Sequence, residues 1–210
     1  MKGYEELMKE FTGLETTKLR RTAHLRVNVG CGEYPMNFWT NLDGDPEVPA
    51  QVHAVVPPMP FDDEELEHIY VGHLLEHLTF VDGAEFLAEC YRCLKPGGRL
   101  GVVVPDTREI LTRWFNQMGD EIEVPQYTWW NVNDLDDICH LFLYSDVQDS
   151  LHHWSYDAST LARAMTVAGF ENLTEIHRYG DIRLASGAWY QCGWDGYKPS
   201  ERTEGDGTGK

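Results

Sequence analysis

Residues 27–32 read Val-Asn-Val-Gly-Cys-Gly. An apolar, β-branched run that ends in two glycines one residue apart restricts the backbone more than any other stretch of this chain. The chain must leave a strand through a tight turn, and glycine there lets a ligand approach main-chain N–H groups with no Cβ in the way. Gly-x-Gly alone is a permissive signal. Here it has companions: Asp43 follows a second short apolar run, His73-Leu-Leu-Glu-His77 follows a third, and Leu94-Lys-Pro-Gly-Gly98 precedes a fourth.

The remaining pattern is an alternation of strands and helices. Strands are predicted at 25–29, 39–43, 52–56 and 66–71, where Ile69, Tyr70 and Val71 favour extended backbone. Residues 73–78 open a short helix. Residues 83–94 form a patterned one, with Phe86, Leu87, Cys90, Tyr91 and Leu94 at three- and four-residue steps before Lys-Pro-Gly-Gly stops it. Residues 99–104 are almost continuously apolar, as a strand buried on both faces should be, and Pro105-Asp106 ends them. A further helix is expected at 156–168, and two last strands at 173–177 and 188–193. This order implies an α/β chain with a Rossmann-like, doubly wound, mostly parallel seven-stranded sheet. The expected organisation is a helical cap at 1–24, one domain at 25–199 with a substrate-facing cover at 107–155, and a disordered tail at 200–210. Ligands of such sheets bind beyond the carboxyl ends of the strands. Gly30–Gly32, Asp43, Gly72-His73 and Pro105-Asp106 all fall there.

Composition narrows the partners. The 17 basic and 35 acidic residues give a net charge of −18, a field that repels phosphate backbones and makes nucleic acid a poor partner. No apolar run reaches the roughly 18 residues of a membrane span, and the charged first ten residues do not resemble a signal peptide. Five cysteines at no disulfide-like spacing read as reduced thiols, so a cytoplasmic protein is expected.

The glycine turn suits a nucleoside without phosphates. A dinucleotide fingerprint needs a third glycine and an acidic residue about 20 positions on. No third glycine stands in place, Asp43 lies only 13 residues after Gly30, and Pro35 interrupts any long intervening helix. No Gly-Lys-Ser/Thr follows, so a phosphate loop is absent too. What remains is a close backbone and a carboxylate able to accept from two ribose hydroxyls.

At this point the chain resembles a class I S-adenosylmethionine-dependent methyltransferase of the small bacterial and phage type. The stretches that carry the resemblance are 27–32, Asn41-Leu42-Asp43, Pro60-Phe61-Asp62, VGHLLEHL at 71–78, RCLKPGGRL at 92–100, Val104-Pro105-Asp106 and HHWSYDASTLARAMTVAGF at 152–170. The resemblance implies S-adenosylmethionine as cofactor. By it, Gly30, Cys31 and Gly32 line the methionine and ribose portion, and Asp43 binds the ribose hydroxyls. Met59 flanks the adenine, and Gly72 and His73 close over the sulfonium. Asn28, where many relatives carry an acidic residue, is expected among the cofactor contacts, and Val55 stands where relatives carry aspartate, so the methionine ammonium and the adenine are expected to be held differently here. Transfer from an activated sulfonium asks mainly for positioning. Where the acceptor must lose a proton, Asp106 and His152 are the candidate bases, with His140 and His153 behind them. A small-molecule acceptor is expected, and the tryptophans of the cover favour a ring-bearing or apolar one.

Other readings compete. The substitutions at Asn28 and Val55 also suit a cofactor-binding module without turnover. His73-Leu-Leu-Glu-His77 fits the H-x-x-E-H pattern of a zinc peptidase, with His73 and His77 as ligands on a helix face, but it lacks a third ligand in sequence. No metal ligand set is therefore expected. Cys90-x-x-Cys93 lies within the amphipathic helix and reads as a structural pair, and Cys31 as a small residue that a turn requires.

Overall fold

The computed structural model describes residues 25–116, 152–176 and 189–200. Seven strands form one sheet in the order β3-β2-β1-β4-β5-β7-β6. They are β1 (Arg26–Val29), β2 (Thr40–Asp43), β3 (Val52–His53), β4 (Leu66–Gly72), β5 (Leu94–Pro105), β6 (Glu171–Glu175) and β7 (Gln191–Tyr197). The first five run parallel; β7 is antiparallel to both β5 and β6. The expected seven-stranded, mostly parallel α/β sheet is what forms. Among the described residues the α-helices are α1 (Phe80–Cys93), α2 (Thr107–Asn116) and α3 (Ala158–Val167).

Alternation along the central strands sorts side chains between the two faces. Val27, Val29, Ile69, Val71, Val102 and Val104 point to one face, and Phe86, Leu87 and Cys90 of α1 and Leu161 and Met165 of α3 pack on them in one buried cluster. Tyr70 and Val103 point to the other face and are buried with Met36, against which Trp39 and Ile176 pack. Asn28 shares that second face and is fully buried.

Several boundaries differ from those expected, for local reasons. Helix α1 begins three residues early because Thr79 caps it, its hydroxyl accepting from the Asp82 N–H at 3.2 Å. The short helix at 73–78 is a single 3-10 turn, Leu75–His77. Strand β3 pairs over two residues rather than five. Residues 107–116, the start of the expected cover, form α2. Its first turn is held by the Asp106 side chain, which accepts from the Glu109 N–H at 3.1 Å. Helix α3 starts two residues late because Asp157 and Thr160 make a reciprocal capping box there. The last two strands are displaced, β6 toward the N-terminus and β7 toward the C-terminus.

Arg92 on α1 fastens the segment that leads into β4. Its guanidinium donates to Asp63 Oδ1 at 2.6 Å and the Phe61 carbonyl at 3.0 Å, and is itself held by Glu89. Burial pushes the Cys93 thiol up to about 11 and raises Cys90 well above its ordinary value, so this pair packs as protonated thiols. The described cysteines are all free. Among the described residues no helix is long and apolar enough to cross a membrane. The expected cap at 1–24, the part of the cover at 117–151 with Trp129, Trp130 and His140, and the tail from 201 lie outside the described residues.

Candidate functional site

The carboxyl ends of β1, β2, β4 and β5 converge as the parallel topology requires, and the glycine turn leaves β1 there. Gly30 and Gly32 have φ of +67° and +51°, backbone that side-chain-bearing residues rarely adopt. Their surroundings differ. A Cβ on Gly30 would lie 2.9 Å from the Leu74 Cβ, whereas one on Gly32 would meet nothing within 4 Å among the described residues. The first glycine admits a neighbouring turn; the second is open on the side of the described residues.

That turn is rigidly held. The N–H groups of Gly30 and Cys31 donate to the Leu42 carbonyl at 2.8 and 3.2 Å. Asp43 accepts from the Gly32 N–H at 2.7 Å on one carboxylate oxygen and from the Asp45 N–H at 3.0 Å on the other. A carboxylate has about four lone-pair positions, so acceptor capacity remains on Asp43 for two vicinal hydroxyls. Val55, 75 % exposed, stands beside this carboxylate's turn, its Cγ2 3.4 Å from where a Gly44 Cβ would be. An open cradle at Gly32, a half-buried carboxylate and an exposed apolar side chain fit the ribose and base of a nucleoside.

Two expected contacts lie elsewhere. Asn28 does not face the turn: its Nδ2 donates to Asn41 Oδ1 at 2.9 Å and the Tyr34 carbonyl at 3.4 Å. Asn41 in turn binds the Met36 backbone and Gln51, so Asn28 pins the loop after the turn. Its Oδ1 is buried with no hydrogen-bond partner among the described residues. Met59 is 3 % exposed and belongs to the main apolar core, its N–H donating to Glu89 Oε2 at 3.0 Å. Cys31 is fully buried within the turn.

A second group of polar residues lies after β4. Gly72 is buried at the strand end, and His73 follows with φ of +55°, its N–H on the Val103 carbonyl at 3.0 Å. His73 Nδ1 is 3.1 Å from Glu76 Oε1 and Nε2 is 2.8 Å from Gln191 Oε1, so both ring nitrogens are engaged. This corrects the helix-face pairing of His73 with His77: residues 75–77 are one 3-10 turn, and His73 precedes it. Glu76 is instead joined by His77 and His152, with one potential ligand atom of each within 4.8 Å of the other two. The chain is strapped into that position, since the His153 and Trp154 N–H groups donate to the Glu76 carbonyl at 2.8 and 3.1 Å. Burial alone would raise the Glu76 carboxyl. The hydrogen bond from His73 and the charges of His73, His77 and His152 outweigh it and hold the group below its usual value.

Asp106 ends β5 and caps α2, and it forms an isolated bridge with Tyr156. Burial, followed by the charges of Asp106, Asp157 and Glu76, raises the Cys192 thiol and favours its protonated form. Burial likewise pushes the Tyr156 hydroxyl up to about 12.

Comparison with known proteins agrees with this fold. The family described as "Methyltransferase domain" matches residues 12–102. An S-adenosylmethionine-dependent methyltransferase of Methanosarcina mazei superposes with a TM-score of 0.50 at 14 % identity, over 84 % of this chain and 92 % of that one. A second, from Archaeoglobus fulgidus, gives 0.50 at 12 % identity over 92 % of each. A chain from the Haloferax volcanii complex of the Trm112 methyltransferase activator gives 0.50 at 14 % identity, over 84 % and 83 %. No curated protein matches the chain.

Proposed function

We propose that this chain is a class I S-adenosylmethionine-dependent methyltransferase and moves the sulfonium methyl group to a small acceptor held above the carboxyl ends of β1, β4 and β5. The observation that carries the reading is the glycine turn with open space at Gly32 beside the Asp43 carboxylate. Asp43 accepts from the ribose hydroxyls, Val55 offers an apolar surface to the base, and the Gly30–Gly32 backbone lets the methionine portion lie close. The bound cofactor supplies an already activated methyl group. The chain's own task is then orientation, which is worth effective molarities of about 10⁵ M or more. For an oxygen or nitrogen acceptor a proton must leave. Asp106 and His152 are the residues at this end of the sheet suited to take it.

A non-catalytic binder remains the alternative that the Asn28 and Val55 substitutions favour, and turnover of the donor separates the two. A protein partner is a further reading, supported by the Haloferax relative's complex with an activator. Calorimetry with S-adenosylhomocysteine tests the site itself. The wild-type chain should bind one equivalent, and Asp43→Ala should bind about 10- to 100-fold more weakly, the worth of hydrogen bonds to a charged acceptor. Equal binding by both proteins removes the nucleoside from this site.

A further inference from the structure

Glu76, His77 and His152 carry an inference that runs against the expectation of no metal ligands. We propose that these three residues bind one divalent cation of the Zn²⁺ or Co²⁺ class, leaving a coordination position open. The donor set is two imidazoles and a carboxylate, the chemistry that borderline first-row cations take, and three protein ligands with a vacant position is the arrangement of reactive rather than structural sites.

Geometry supports it from several sides. The three ligand atoms lie within 4.8 Å of one another. Ligands on a tetrahedral zinc ion, with bonds of about 2.0–2.2 Å, stand about 3.3–3.6 Å apart, so the set needs to close by only about 1–1.5 Å, within the reach of side-chain rotation. Glu76 is only 2 % exposed, and its Oε2 has no hydrogen-bond partner among the described residues. A buried carboxylate oxygen without a donor is costly, and a cation is the partner it lacks. The other oxygen, Oε1, is held by His73 at 3.1 Å, and His73 is fixed in turn by Gln191 at 2.8 Å. This is the outer support that orients a ligating carboxylate. His77 and His152 meet edge to face with ring centroids 4.7 Å apart. Each imidazole can coordinate through one nitrogen while the other keeps a hydrogen bond. The N–H groups of His153 and Trp154 on the Glu76 carbonyl lock the third ligand beside the first two.

Binding of the cation does not depend on methyl transfer, but its use there rests on the reading above. At the open position it would take the oxygen of a hydroxyl-bearing acceptor and make that hydroxyl more acidic. The sulfonium C–S bond then breaks as the C–O bond forms, neutral S-adenosylhomocysteine leaves, and the hydroxyl proton passes to solvent. His152 is then a ligand and not the base.

The test uses the full, untagged, chelator-treated chain. Co²⁺ titration followed by visible absorption, and elemental analysis after Zn²⁺ loading, should give one ion per chain. Glu76→Gln, His77→Ala and His152→Ala should each lower Co²⁺ affinity at least about tenfold, and His73→Ala by about 10- to 100-fold. No retained ion, or binding that survives His152→Ala unchanged, overturns the proposal. Urea denaturation of each variant checks folding, and S-adenosylhomocysteine calorimetry on the wild-type chain tests the nucleoside site separately. A chain that binds Co²⁺ but no nucleoside sinks only the methyl-transfer reading, and the converse sinks only the cation.

Discussion

Alanine at Gly30 and at Gly32 should fail in different ways. Both positions have positive φ, where a Cβ costs about 1–2 kcal/mol. Part of that is offset, because alanine also restricts the unfolded chain by about 0.4–1 kcal/mol. At Gly32 nothing among the described residues lies within 4 Å of the new methyl, so the net loss of stability is about 1 kcal/mol. At Gly30 the methyl meets the Leu74 Cβ at 2.9 Å and both Cδ atoms at 3.1 Å. Leu74 is backed by the buried Leu75 and cannot simply swing away, so overpacking adds about 1–3 kcal/mol and the total becomes about 2–4 kcal/mol. For a chain of this size that is a fall in Tm of roughly 5–15 °C, against roughly 2–4 °C for Gly32→Ala. Binding should rank the other way per unit of stability lost. Gly32→Ala places its methyl in the open cradle and should weaken S-adenosylhomocysteine binding at least about tenfold in a protein that still unfolds cooperatively. Urea denaturation with calorimetry on both variants measures each quantity. Equal stabilities, or a Gly32→Ala protein that binds like wild type, would refute the assignment of space at the two glycines.

Two further outcomes concern the scaffold. Asp157 caps α3 and accepts from Thr160, Ser159 and Arg108; these bonds outweigh its burial and hold its carboxyl well below the ordinary range. Asp157→Ala should therefore cost about 1–2 kcal/mol near neutral pH. Because the folded-state pKa is the depressed one, that contribution is present above about pH 4 and fades as pH falls further, so the gap between the two proteins in urea denaturation should narrow in acid. A gap independent of pH contradicts the cap. Cys90 and Cys93, buried with raised thiol pKa values, should resist iodoacetamide at pH 8 in the folded chain and react fully in denaturant. Rapid labelling of Cys90, read by peptide mass spectrometry, would show that α1 does not face the core as described.

The parts of the fold that were legible in the sequence are those decided locally. Apolar runs such as 99–104 announce a central strand, and the glycine turn with Asp43 announces its own backbone geometry, since neighbouring strands end there. Strand β7 is harder to read. Gln-Cys-Gly-Trp-Asp-Gly-Tyr has poor strand propensity, and only its antiparallel pairing with β5 and β6, including Arg99 with Asp195, makes it one. Helix α2 was hidden because Asp106 carries two meanings: a carboxylate at a strand end reads as chemistry, yet here it also starts a helix. Asn28 misleads in the same way. Its position suggests a ligand contact, and its partner Asn41 is visible only once the two strands lie side by side. The Glu76–His77–His152 cluster is only half visible in sequence: Glu76 and His77 stand in the H-x-x-E-H pattern, but His152 lies 75 positions further on and the bonds that bring it there run through main-chain atoms.

That separation also determines how the two sites can be told apart. One five-residue segment, His73 to His77, serves both. Leu74 fills the space that Gly30 leaves, so the cofactor turn rests on it. The Leu74 carbonyl also accepts the His77 N–H at 3.0 Å, fixing the turn that carries Glu76 and His77. A substitution within 73–77 therefore disturbs the methyl donor's floor and the polar cluster together, and its effect on activity cannot be assigned to either. His152 reaches the cluster from a different part of the chain, and the bonds that hold its segment come from the backbone of His153 and Trp154. Removing its imidazole leaves Leu74, Gly30 and those bonds in place. Of the residues in the cluster, it is the one whose replacement separates proton or metal chemistry from cofactor binding.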